Sequence, residues 1–124
     1  MNAGESIRSA SVFRSFDEKL AKAFYVDWLG FHIDFEHRRH ADAPLYIGLR
    51  LSQFSLHLSE HHGDCAPGGL AMIWTPSLEA WHADLLAKPY ANNRPSLVEE
   101  PYGLCMTLSD PFFNRLRVVQ SGSA

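Results

Sequence analysis

Cysteine is nearly absent from this chain: 124 residues contain two, Cys65 and Cys105. They show neither metal-type pairing nor a disulfide framework. Long apolar runs are missing, so no stretch is read as crossing a bilayer. The opening Met-Asn-Ala-Gly-Glu-Ser-Ile-Arg lacks the apolar core of a signal peptide, which predicts a cytoplasmic protein with no membrane partner. Positive charge is not in excess. Against 14 Asp and Glu stand 11 Lys and Arg, a net charge of -3, which argues against nucleic acid and would suit a cationic ligand. No nucleophile elbow or activated cysteine is recognisable. Pro67-Gly68-Gly69 lacks the lysine and following helix of a phosphate loop. What remains is ordinary, 46% hydrophobic and 20% charged, and predicts a single domain over 1–124 with a real core.

What is present is a repeated pattern. Ile7 to Arg14 reads as a strand. Ser15-Phe-Asp-Glu18 has capping-box form, and Leu20, Phe24, Trp28 and Leu29 recur at helical spacing until Gly30 closes the helix. Phe31 to His37 alternates as a half-buried strand does. Leu45–Arg50 and Phe54–Leu58 follow as strands around a tight connection. After a turn-rich stretch, Glu60 to Gly69, the order repeats. Leu70–Trp74 reads as a strand, and Thr75-Pro76 as cap and first helical position. Leu78, Trp81, Leu85 and Leu86 form an apolar stripe that stops at Lys88-Pro89. Short strands are predicted around Leu97–Glu99, Leu104–Leu108 and Arg115–Val119, with a frayed tail over Ser121–Ala124. Strand, helix and three strands, twice over, predict an internally duplicated α+β domain, with modules at about 7–59 and 69–120.

Two polar clusters invite a functional reading. His57-x-x-Glu60-His61-His62-x-Asp64-Cys65 holds donors enough for a metal, but its spacing fits no closed site and the polar-turn reading is preferred. Arg38-Arg39-His40 is read as a solvated loop. The remaining chemistry is aromatic. Phe35, Tyr46, Phe54 and Trp74 fall on predicted strands or strand edges where some must face a ligand cleft, although each taken singly is read as core, and Trp28 and Trp81 follow the helical stripes into the core. Tyr102 lies in a turn, Glu99-Glu100-Pro-Tyr-Gly103, where a large ring is hard to bury. With Glu99 and Glu100 beside it, it suits a flat, positively charged ligand.

The order of these segments resembles the vicinal oxygen chelate (glyoxalase/dioxygenase) superfamily. Phe24-Tyr25 before Leu29-Gly30-Phe31, and the late Asp110-Pro111-x-x-Asn114-Arg115, carry the likeness. Arg14-Ser-Phe-Asp17, Leu56 to Asp64 and Glu100-Pro-Tyr-Gly103 are similar to its bleomycin-resistance branch. The resemblance implies two paired βαβββ modules forming a curved, cup-like mixed sheet. It also implies a homodimer that holds a small-molecule ligand between subunits. In metal-dependent relatives four strand positions carry the ligands; here they fall near Ala10, His57, Leu70 and Arg117, and only His57 could coordinate. That implies no metal, no cofactor and no catalytic residue. The expected function is non-catalytic sequestration of a bleomycin-type glycopeptide antibiotic or a similar flat cation. Tyr102, Glu99, Glu100, Phe35, Tyr46, Phe54, His57 and Trp74 are the candidate ligand-binding residues. The alternatives are a metal-dependent lyase, isomerase or dioxygenase-like enzyme, and a binding module for another aromatic metabolite. Three local departures stand out: Phe112-Phe113 and Pro89 where glycine is common, and Tyr102 in place of a tryptophan.

Overall fold

A computed structural model describes residues 6–90 and 92–122. The elements are β1 (Ser11–Arg14), α1 (Glu18–Lys22) running on as a π-helical segment (Ala23–Trp28), β2 (His32–His37), β3 (Tyr46–Leu51) and β4 (Phe54–Ser59). The second series is β5 (Leu70–Thr75), α2 (Leu78–Ala87), β6 (Val98–Glu100), β7 (Gly103–Ser109) and β8 (Arg115–Gln120). Each series forms its own four-stranded mixed sheet, β1-β4-β3-β2 and β5-β8-β7-β6. In both, the first strand runs parallel to the last and the other pairs are antiparallel. Two βαβββ modules with identical topology make an α+β fold. No helix among the described residues is long and apolar enough to cross a membrane. The last two residues of the expected frayed tail lie outside the described residues.

Local chemistry explains where the elements depart from the periodic pattern. The strand expected from Ile7 starts only at Ser11, because its ladder with β4 spans Ser11 to Arg14, and Ile7 is 71% exposed. The helix starts after Asp17, not Ser15. Asp17 Oδ1 accepts from the Leu20 amide at 2.9 Å, placing a carboxylate at the positive end of the helix. Ser15 is buried and its amide extends the sheet by donating to the Ser59 carbonyl at 2.9 Å. The π-helical segment is marked by the Leu29 amide donating to the Phe24 carbonyl, five residues back, at 3.0 Å. Ala21, Phe24, Tyr25 and Trp28 form the buried stripe, and Leu20 is left 46% exposed. Gly30 closes the helix at φ +92°, a conformation that favours glycine. In the second module Thr75 pairs with Gln120 and so ends β5 instead of capping α2. Its Oγ1 accepts from the Ser77 amide at 3.1 Å, and the Gln120 side chain accepts from the Leu78 amide at 3.1 Å.

The helix-side faces of both sheets meet in one core. Leu49, Leu56 and Leu58 come from the first sheet and Met106, Leu108, Leu116 and Val118 from the second, with Phe24, Trp28, Leu78 and Leu85 from the helical layer. Polar clasps tie the modules together. Trp28 Nε1 donates to the Leu85 carbonyl at 3.0 Å, Lys88 Nζ donates to the Trp28 carbonyl at 2.6 Å, and Tyr90 stacks on Trp28 with centroids 4.7 Å apart. Asp110 and Asn114 form a second clasp. Tyr25 donates to Asp110 Oδ2 at 2.6 Å. Asn114 Nδ2 donates to the Arg14 carbonyl at 2.8 Å, while its Oδ1 accepts from Gly68 and Gly69. Trp28 is core as expected. Trp81 is only half-buried against it.

Candidate functional site

Because side chains alternate along a strand, each sheet turns its other face away from the core. On the first sheet, cross-strand register places Phe35, Gly48 and His57 side by side. The Phe35 ring lies over Gly48, and a Cβ there would intrude on it; this is what keeps the position side-chain-free. Phe35 and Tyr46 are near-parallel at 6.1 Å, and His57 meets them edge-on at 5.4 and 5.3 Å. Tyr46 Oη and His57 Nδ1 share a 2.8 Å hydrogen bond. Burial, with Asp64 and Cys65 nearby, raises the Tyr46 phenol above its ordinary pKa, so it stays protonated at neutral pH. The remaining edge of His57 borders a pocket of about 480 Å³ with Ala10, Asp34, Phe35 and Ser55.

The second sheet carries a pocket of about 330 Å³ lined by Val98, Glu100, Tyr102, Cys105, Thr107 and Arg117. Tyr102 is 48% exposed, as its turn requires. Glu100 pairs with Gly103, whose φ of +126° shapes the turn. Glu99 pairs instead with Leu104, which packs against the core; the alternation therefore puts Glu99 on the opposite face from Tyr102. Arg117 pairs with Thr107 across the ladder and its Nε reaches Thr107 Oγ1 at 3.4 Å.

Phe54 and Trp74 go elsewhere. They line a groove of about 780 Å³ between the β3–β4 turn and the β5–α2 segment, together with Met72, Trp81 and Asp84. Trp74 is 60% exposed there, while Phe54 also meets Phe31 edge-on at 6.0 Å. The eight expected ligand-binding residues thus divide. Phe35, Tyr46 and His57 come together, Glu100 joins Tyr102, Phe54 joins Trp74, and Glu99 stands apart. The pockets of the two sheets share no lining residue.

Of the four positions expected to correspond to metal ligands in enzymatic relatives, Ala10, His57, Leu70 and Arg117, only His57 carries a side chain that could coordinate. His57 faces Ala10 and one carboxylate, Asp34, which is paired with Arg50 at 3.2 Å. In the second module Arg117, a permanent cation, stands where a donor would be needed. In the loop from His57 to Cys65, Glu60 accepts from the Leu45 amide at 3.0 Å and Asp64 from the Ser59 hydroxyl at 2.6 Å. Glu60 thus ties this loop to the backbone at Leu45, and Asp64 holds the hydroxyl at the end of β4. Among the described residues no three His, Cys, Asp or Glu are grouped to share an ion.

Arg117, Thr107 and Gly48 are the residues that the sequence reading did not assign to binding. The alternation of β7 and β8 was the available signal, since Thr107 and Arg117 both fall out of phase with the apolar positions Met106, Leu108, Leu116 and Val118.

A family profile described as glyoxalase superfamily protein matches residues 5–123. No curated protein sequence matches the chain. Several solved structures are similar. The bleomycin-binding protein of bleomycin-producing Streptomyces verticillus, complexed with copper(II)-bleomycin, is 25% identical with a TM-score of 0.68, over 94% of this chain and 97% of that one. TnmS3, an antibiotic binding protein from Streptomyces sp. CB03234, is 22% identical with a TM-score of 0.67, over 94% and 98%. A bleomycin-binding protein complexed with bleomycin is 21% identical with a TM-score of 0.69, over 94% and 100%.

Proposed function

Since this chain belongs to the glyoxalase superfamily, with bleomycin-binding proteins among its structural relatives, we propose that it binds and sequesters a flat, ring-bearing small molecule of the bleomycin-type antibiotic class without chemically altering it. The observation that carries this reading is the pair of open-face half-sites. One stacks Phe35 and Tyr46 around His57; the other sets the exposed Tyr102 beside Glu100 and Arg117. Rings held on strands or in a tight turn offer stacking surface at little ordering cost, and a carboxylate at the rim can draw the charged end of a drug. Because the half-sites lie on different sheets and share no residue, the complete cleft is assigned to a homodimer, with the first sheet of one copy facing the second sheet of its partner.

Titration calorimetry with bleomycin tests the proposal. Wild type should bind, and Tyr102→Ala should weaken binding by about 1–3 kcal/mol, the range of a well-placed aromatic anchor. Tyr102→Trp should bind at least as well as wild type because it restores a larger face. A folded wild type that gives no heat with bleomycin or with other planar antibiotics would refute the reading. Turnover of a bound ligand would move the chain to the enzymatic branch.

A further inference from the structure

The charge that Arg117 brings to the Tyr102 pocket has no close ion-pair partner among the described residues. Its Nε makes only the 3.4 Å contact with Thr107. Among the described residues no carboxylate oxygen lies within 4.0 Å of it, although Glu100 borders the same pocket. Arg117 is half-buried on β8, which is hydrogen-bonded on both sides, by β5 and β7, so the backbone that carries it is fixed. Val98 and Cys105 add apolar wall.

A ligand that covers this pocket removes water from the guanidinium. Unless it brings an acceptor, the covered charge is left without a partner, which is costly. A purely cationic ring meets a like charge at the pocket floor. A planar acid meets the opposite: a fork of N–H donors whose geometry fits a carboxylate in two parallel hydrogen bonds, in a pocket that also offers the Tyr102 ring for stacking. We infer that the Tyr102 pocket is selective for flat aromatic carboxylates, with Arg117 as the residue that sets this preference. The inference rests on the ring-binding reading above and shifts its favoured ligand from ring-plus-cation to ring-plus-acid. Glu100 is left to accept from a hydroxyl or amino group at the far edge of the ring.

Three ligands with one ring system separate the possibilities: 2-naphthoate, 2-naphthamide and 2-naphthamidinium, titrated against wild type, Arg117→Gln, Arg117→Lys and Tyr102→Ala. Wild type should bind the naphthoate at least about tenfold more tightly than the amidinium, as a charge-assisted pair against a like-charge contact implies. Arg117→Gln should bring the two within about twofold, with the naphthoate losing more than the amide, and Arg117→Lys should retain part of the preference because it keeps the charge but not the fork. Tyr102→Ala should weaken all three alike. Equal or tighter binding of the amidinium by wild type overturns the inference and leaves ring binding intact, as does an Arg117→Gln protein that keeps the full preference. Should Arg117→Gln fail to fold, the order of the three ligands on wild type still decides. No binding of any of them overturns the inference, and the titration with bleomycin and other planar antibiotics then decides the ring-binding reading separately.

Discussion

At the scale of single residues, Tyr25 and Asp110 show what holds the two modules in place. Burial pushes the Asp110 carboxyl above its ordinary pKa, against the hydrogen bonds from Tyr25, Asn114 and two backbone amides, which pull it down. Burial, with Asp110 alongside, raises the Tyr25 phenol well above its own range, so the phenol remains a donor. Because the folded pKa of Asp110 lies above the unfolded one, its contribution favours folding below the unfolded pKa and is lost as pH rises through the folded pKa. Tyr25→Phe removes a donor that favours the ionised carboxylate, so the variant's folded pKa should rise further. Its stability deficit should therefore be small in acid and grow to about 1.5–3 kcal/mol near neutrality, the worth of a hydrogen bond to a charged group. Urea melts of both proteins across that range check it, and a deficit independent of pH would mean that the bond serves packing alone. Phe113 offers the opposite case. It holds φ +73° and is 79% exposed, so its side chain gains little from burial while its backbone sits in the left-handed region. Phe113→Asn tolerates that region better and avoids the unfolded-state freedom of glycine. It should raise stability by about 0.5–1 kcal/mol in a thermal melt.

At the scale of elements, the π-helical segment and α2 form the layer on which both sheets pack, and Trp28 is its clasp. Trp28→Phe removes the indole N–H from the Leu85 carbonyl and shrinks a ring that stacks on Tyr90. The loss of one buried hydrogen bond and some packing should cost about 2–3 kcal/mol, read as a lower denaturation midpoint. Binding at the open faces should be unaffected, because Trp28 lines none of those pockets. Element identity and order were legible because strands of alternating pattern and a glycine-stopped helix are local properties of the chain. The offsets have a common origin in tertiary pairing. Thr75 was drawn into β5 by Gln120, Ser15 into the sheet by Ser59, and Ile7 lost its strand where the ladder to β4 ended. The helix stripe shifted from Leu20 to Ala21 and Tyr25, and Tyr25 spends its hydroxyl on a partner 85 residues away. Of the candidate site, Phe35, Tyr46 and His57 could be read as strand residues, but their mutual contact depends on cross-strand register and a bulge between Ile33 and Phe35. Glu99 and Glu100 look equivalent in sequence. Only the pairing of β6 with β7 separates them.

At the scale of the whole molecule, the proposed cleft joins two half-sites that share no residue. In the proposed two-fold dimer, with the first sheet of each copy facing the second sheet of the other, each cleft would be built from Phe35, Tyr46 and His57 of one chain and Tyr102, Glu100 and Arg117 of its partner. This arrangement has a signature that no single-chain site can imitate. Phe35→Ala and Tyr102→Ala should each damage every cleft of their own homodimer. In a mixed dimer of the two variants, one cleft carries both lesions and the other carries none. Random reassociation of equal amounts makes about half of the dimers mixed, so about a quarter of all clefts should recover wild-type affinity. Co-refolding the two variants and titrating with the ligand that wild type binds should thus reveal a minor class of tight sites, absent from either variant alone and from samples mixed without subunit exchange. A co-refolded sample that shows only the two weak affinities would place each pocket within one chain. The Tyr102 pocket would then have to act without Phe35, and Arg117 would be left as the group that decides what it binds.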